Sequence, residues 1–224
     1  VTTTVEHSAV LEPCKWLEQQ GYEVTRIAPD GRGNITAEQV LEAVRPDTAL
    51  VSVMMVNNEL GNVYPIAEIA AGLKQKNPQT LLHTDAVQSF LKVPFKASAL
   101  GADMISISAH KIHGPKGVGA LYVRRGFPLV NVIDGGAQER GKRAGTENIP
   151  GICGAAAALE EICANMEANT AKLIPLRDKL PLLISLGCCA LWILLGLLFG
   201  NVGRAIGMAL LQLVAGILSA FGGK

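Results

Sequence analysis

Charge stops almost completely at residue 180. Eighteen of the twenty Lys and Arg and all nineteen Asp and Glu lie at or before Lys179, and the 45 residues beyond carry only Arg204 and Lys224. A single homogeneous soluble domain is excluded, because a globular surface needs charged groups throughout its length. Residues 1–179, with a net charge of −1, read as a soluble body, and residues 180–224 read as a segment suited to a different solvent. The overall charge of +1 argues against a polyanion-binding surface, so no nucleic-acid partner is expected. Five cysteines without a CxxC pair give neither a disulfide framework nor a zinc module, and no metal site is expected.

The body alternates between strand and helix patterns. It opens on the β-branched run Val1–Val5, without Met or signal peptide, and reads as the interior of a longer protein. Ala9, Leu11, Trp16 and Leu17 fit a helix closed by Gly21, and residues 22–28 fit a strand. Thr36 with Gln39 forms a capping box for a helix that ends before Pro46. Residues 49–56, ALVSVMMV, are apolar enough for a strand buried on both faces, the mark of a parallel sheet. Pro65 suits the first turn of a helix reaching Lys76, and strands follow at 80–84, 104–108 and 120–124. Repeated β-α-β units with short loops predict an α/β domain, a mostly parallel sheet with helices on both faces. Sites in such sheets gather at the carboxyl ends of the strands.

Polar residues stand at several of those ends: His7; Asn57, Asn58 and Glu59; His83, Asp85 and Gln88; Ser108, His110 and Lys111. Singly, each has an ordinary explanation. His7 could be a cap, Asn57-Asn58 a turn, Asp85 a helix cap and Lys111 a surface lysine. Together, at consecutive strand ends, they favour a site. A lysine able to form a Schiff base, a carboxylate to pair with a protonated ring nitrogen, and an imidazole to stack on a planar ring are the groups a protein offers to pyridoxal phosphate (PLP).

The same residues carry a family likeness. HTDAVQ (83–88), SAHKIHGPKGVG (108–119) and GGAQERGKRAGTEN (135–148), with VEH (5–7) and MMVNNELG (54–61) in the same order, resemble the cysteine desulfurases. These belong to the class V aminotransferase group of fold-type I PLP enzymes, and the resemblance covers about residues 1–180. It implies that Lys111 forms the Schiff base with PLP, that Asp85 pairs with the pyridine nitrogen, and that His7 stacks over the ring and assists proton transfer. It further implies that Asn57 and Gln88 contact the hydroxyl side of the ring and that Ser108 and His110 bind the phosphate. Thr146 would reach the phosphate of a second subunit, which makes a homodimer the expected assembly. The implied reaction takes L-cysteine to L-alanine: a cysteine thiolate attacks the substrate sulfur, and the resulting persulfide supplies an acceptor protein for iron–sulfur cluster or thio-cofactor assembly. Selenocysteine lyase is a close sibling within this group.

Two departures from the family pattern bear on activity. Its phosphate-cupping N-terminal loop and its small C-terminal domain, with the nucleophilic cysteine and a substrate-binding arginine, have no match in this sequence. Cys14, Cys153 and Cys163 fall in helical patterns and read as packing residues, while Cys188 and Cys189 lie in an apolar stretch that disfavours a thiolate. The expectation is a desulfurase-type polypeptide, truncated at both ends, that does not desulfurate cysteine by itself. Gly136–Lys142 has P-loop spacing, but Arg143 occupies the position of the magnesium-binding hydroxyl, so nucleotide binding is rejected.

The tail contains 24 consecutive uncharged residues at 180–203 and 19 more at 205–223. Roughly 20 apolar residues cross a bilayer. The pattern predicts a two-helix membrane hairpin turning at 200–204, and Arg177, Lys179 and Lys224 place both ends on the cytoplasmic side of the membrane. The competing expectation is a membrane-integrated, non-catalytic protein, or a gene-model or fusion product, whose PLP-type body is a relic.

Overall fold

Strand β1 (Thr2–Thr3) lies between β2 (Arg26–Ile27) and β3 (Leu50–Ser52). Beyond β3 come β4 (Leu81–Asp85), β5 (Met104–Ser108) and β6 (Gly119–Val123), giving a six-stranded sheet of order β2-β1-β3-β4-β5-β6. All neighbouring pairs are parallel except β5 and β6. The α/β class with a mostly parallel sheet is therefore as expected. The computed structural model describes residues 1–127 and 129–221, and from residue 181 onward it describes side chains at only eight positions. The chain divides into two units, Val1–Ala164, which contains the sheet, and Asn165–Lys224.

The helices are α1 (Ser8–Gln19), α2 (Ala37–Glu42), α3 (Ile66–Lys76), the single turns α4 (Ala97–Leu100) and α5 (Gln138–Gly141), and α6 (Ile149–Phe221). Local chemistry explains where they begin. Thr36 Oγ1 accepts from the Gln39 amide at 3.2 Å while Gln39 Oε1 accepts from the Thr36 amide at 2.9 Å, so α2 starts on the expected reciprocal cap. In α3, Ile66, Ile69, Ala70 and Leu73 are buried at helical spacing, with Glu68 in the first turn and Lys74 and Lys76 in the last, each charge matching the helix dipole. Gly72 lets α2 approach α3, because a Cβ there would collide with the Leu41 side chain. The core joins these helices to the sheet through Val40, Val51, Val53, Ile69 and Leu82, all essentially inaccessible to water. Each such side chain stabilises the fold by about 2 kcal/mol through burial.

Strand β3 is shorter than the apolar run at 49–56. The Ser52 amide donates to Val1 O at 2.9 Å, in register with β1. Two residues further on, the Met54 amide donates to the Glu6 side chain at 2.9 Å instead of to the backbone of β1. On its other side the run stays bonded to β4, through Val53 N to His83 O at 3.2 Å and Met55 N to Asp85 O at 2.9 Å. The chain then turns back on itself, with an antiparallel bridge between Val56 and Val63.

In the second unit, α6 stays helical across residues 200–204, so the expected tight turn is not formed there. An uncharged run rich in Leu and Ile satisfies its backbone most simply as continuous helix, and isolated glycines cost only about 1 kcal/mol each. Among the described residues no helix is long and apolar enough to cross a membrane. Most side chains of the expected spans at 180–203 and 205–223 lie outside the described residues.

Candidate active site

Strands β1, β3, β4 and β5 are consecutive neighbours and parallel, so their carboxyl ends lie side by side along one edge of the sheet. That edge carries His7, Asn57, Asp85 and Ser108 in spatial order.

His7 is the N-cap of α1, and its Nδ1 accepts from the Ala9 amide at 3.1 Å. An acceptor at Nδ1 puts the proton of the neutral ring on Nε2. Asn57 is buried and braced on every side. Its Nδ2 donates to Val5 O at 3.1 Å, and its Oδ1 accepts from the amides of Glu59 and Leu60 at 3.0 and 2.8 Å. The turn reading of Asn57-Asn58 thus holds, and the bond to Val5 also ties that turn to the segment that presents His7.

Asp85, the last residue of β4, is 9% exposed, with Oδ1 accepting from the Val87 amide at 2.9 Å. The chain after it forms a turn in which the Gln88 side chain accepts from Lys92 Nζ at 3.4 Å. At the end of β5, Ser108 Oγ and His110 Nδ1 stand 2.7 Å apart. Lys111, exposed, follows within the 3₁₀ turn Ala109–Ile112. A tight return keeps this turn short: a Cβ on Gly114 would lie 2.9 Å from Ala109 O. Thr146 and Ser108 line one cleft of about 600 Å³, together with Phe90, Arg143, Asn148 and Leu159. His7, Asn57, Asp85, Gln88 and Lys111 are not part of its lining.

Three titratable groups at this edge are shifted from their ordinary values: His83, already among the strand-end residues, and Glu6 and Lys92, which were not. Burial pushes the Glu6 carboxyl up to about 7; its hydrogen bonds from Met54 N–H and the Thr3 hydroxyl oppose the rise, and the charge of Asp85 adds to it. His83 is held below the usual histidine value by burial, with Asp85 opposing. Lys92 is lowered from the ordinary lysine range by burial first and by the neighbouring Lys111 ammonium second. Glu6 sits inside the VEH stretch, but a glutamate after a β-branched run gives no sign of burial. Lys92 was hidden in the same way, since only the turn after β4 brings it towards Lys111.

The cysteines differ in part from expectation. Cys14 is half-buried, and burial pushes its thiol up. Cys153 and Cys163 are exposed on α6 rather than packed, because among the described residues nothing covers that face of the helix. Among the described residues no group of three or more His, Cys, Asp or Glu is placed to hold a metal ion.

The profile of the family Aminotransferase class-V matches residues 1–179. The chain belongs to the class-V aminotransferase family. Members of this family and the cysteine desulfurases among them are PLP-dependent. Similar proteins include the cysteine desulfurase IscS of Methanosarcina thermophila, 46% identical over 180 residues, which is 80% of this chain and 44% of that protein. The cysteine desulfurase IscS of Anaeromyxobacter dehalogenans is 49% identical over 182 residues, covering 80% of this chain and 45% of that one. Among solved structures, a NifS-like protein superposes with a TM-score of 0.79 at 45% identity, covering 82% of this chain and 51% of the other. DndA from Streptomyces lividans superposes at 0.69 and 45% identity, over 75% and 48%. The chain spans less than half the length of the curated class-V relatives it matches.

Proposed function

We propose that this chain is a PLP-dependent polypeptide of the cysteine desulfurase type, whose reaction takes L-cysteine to L-alanine and passes the sulfur to an acceptor protein, and that it does not complete that reaction alone. The observation that carries the reading is the alignment of four parallel strand ends bearing His7, Asn57, Asp85 and Ser108, with Lys111 one turn beyond the last. The donor set fits the cofactor: a primary amine, a carboxylate fixed at a strand end, an imidazole, and a hydroxyl–imidazole pair suited to an anion. When bound, PLP supplies an electron sink and a reversible covalent attachment for an amino acid.

The residues divide the work by their chemistry. Lys111 offers the amine that anchors the cofactor and can move a proton at the substrate's α-carbon. Asp85, with Oδ1 accepting from Val87 N–H, would pair with a protonated pyridine nitrogen. The His7 ring, with Nδ1 held by the Ala9 amide, would stack over the cofactor and assist proton transfer. Asn57 and Gln88 would orient the hydroxyl side of the ring. Ser108 and His110 would hold the phosphate, and Thr146 would reach the phosphate of a second copy in a homodimer. None of the five cysteines stands in the loop context of the family's nucleophile, and the Cys14 thiol is pushed up by burial. The chain therefore binds L-cysteine without releasing its sulfur unaided. Attachment of the tail to a membrane rests on its uncharged stretches alone.

Adding L-cysteine to the PLP-loaded full-length chain tests this reading. The expected result is a change in the visible absorbance of the cofactor with no sulfide released. Absence of any response to L-cysteine, in protein shown to hold the cofactor, contradicts it.

A further inference from the structure

Glu6 is the most deeply placed acid at the strand edge, 5% exposed. One oxygen does all its hydrogen bonding: Oε1 accepts from the Met54 amide at 2.9 Å and from the Thr3 hydroxyl at 2.8 Å. The other, Oε2, is buried with no hydrogen-bond partner among the described residues. The carboxyl stands where the β1–β3 ladder would continue, since the Ser52 amide pairs with Val1 O and the next inward amide, that of Met54, pairs with Glu6. It thus replaces a backbone bond with a side-chain bond and lets the ends of β1 and β3 part. Beyond that point the ends are tied together through Asn57 Nδ2 on Val5 O. His7 and Asn57 both leave from this junction.

We propose that Glu6 is a positioning residue that acts as a neutral acid, a protonated carboxyl that splays β1 from β3 and so sets where His7 and Asn57 stand on the site edge. The importance of those two positions rests on the function proposed above; the splaying itself does not. An unpartnered buried oxygen costs less as O–H than as a full anion, and a second anion already stands nearby in Asp85. The titratable groups close to Glu6 are Asp85 on β4, Tyr64 before α3, Cys14 on α1 and the adjacent His7. Burial holds the Glu6 carboxyl at about 7, so it keeps its proton through the acid range up to neutrality.

The test follows the Met54 amide and the His7 ring by NMR in the full-length chain from acid to mildly alkaline pH. It compares the wild type with Glu6→Gln and Glu6→Ala and measures PLP affinity alongside. The wild-type Met54 amide shift should inflect near neutrality and be flat in Glu6→Gln. Glu6→Gln, which keeps an accepting oxygen and no charge, should preserve the His7 signals and hold PLP affinity within about twofold. Glu6→Ala should displace the His7 signals and weaken PLP at least about tenfold. An inflection in the ordinary carboxylate range overturns the proposal, as does a His7 ring shifted in Glu6→Gln or unmoved in Glu6→Ala. If Glu6→Ala does not fold, the wild-type and Glu6→Gln signals decide alone. If the wild type takes up no PLP, the proposed function fails while the Met54 and His7 signals still decide the role of Glu6.

Discussion

His83 Nε2 lies 2.9 Å from Ser106 Oγ, a side-chain bridge from β4 to β5 just below the strand ends. The other ring nitrogen, Nδ1, lies 2.8 Å from Ser52 Oγ on β3, so one imidazole spans three strands. His83 and Asp85 share a face of β4, and the bridge braces the strand that delivers Asp85.

His83→Ala should therefore cost about 2–3 kcal/mol, because it leaves two hydroxyls without their partner and opens a gap. Chemical denaturation of the variant against the wild type measures this. Burial lowers the pKa of His83, so below about 6.5 the unfolded chain binds more protons than the folded one. That contribution to stability is present above the unfolded value and is lost as pH falls below it. His83→Gln should flatten this acid limb. Glu6 has the opposite sign: its raised value makes stability fall as pH rises from about 4.5 to about 7, and Glu6→Gln should remove that fall.

Asp85→Asn separates the charge from the fold. Asparagine keeps an oxygen for the Val87 amide, so thermal stability should stay within about 1 kcal/mol of wild type. Loss of the anion should weaken PLP binding at least about tenfold, equivalent to about 1.4 kcal/mol. Equilibrium binding followed by cofactor absorbance checks both magnitudes. Unchanged affinity in folded Asp85→Asn would remove Asp85 from the site.

Lys92 should be more nucleophilic than an ordinary surface lysine, since burial and the Lys111 ammonium lower its pKa. Limited acetylation at mildly alkaline pH, read by mass spectrometry, should mark Lys92 ahead of Lys74 and Lys76. Lys111→Ala should reduce that advantage without abolishing it, because burial is the larger cause.

Much of this edge was legible in residue types alone. Strand β5 occupies residues 104–108 as expected, and the Thr36–Gln39 cap and the start of α3 after Pro65 follow from local chemistry that needs no tertiary partner. The order of polar residues at strand ends pointed to one edge because parallel strands necessarily share it. Long-range contacts were the blind spot. Nothing local in 49–56 foretells that Glu6, some fifty residues earlier, takes the Met54 amide and shortens β3. Nor does VEH reveal that its glutamate is buried. Cys153 and Cys163 have helical spacing, but spacing cannot say whether another element covers that face. The glycines at 200–203 resemble a turn, yet the surrounding apolar run keeps the backbone helical.

The most direct measurement is borohydride reduction of the full-length chain after incubation with PLP, followed by peptide mapping. A reduced pyridoxyl adduct should appear on Lys111, disappear in Lys111→Ala and diminish in Asp85→Asn. A folded chain that yields no adduct, or one that labels Lys92 as readily as Lys111, would contradict the assignment of this strand edge as a PLP site.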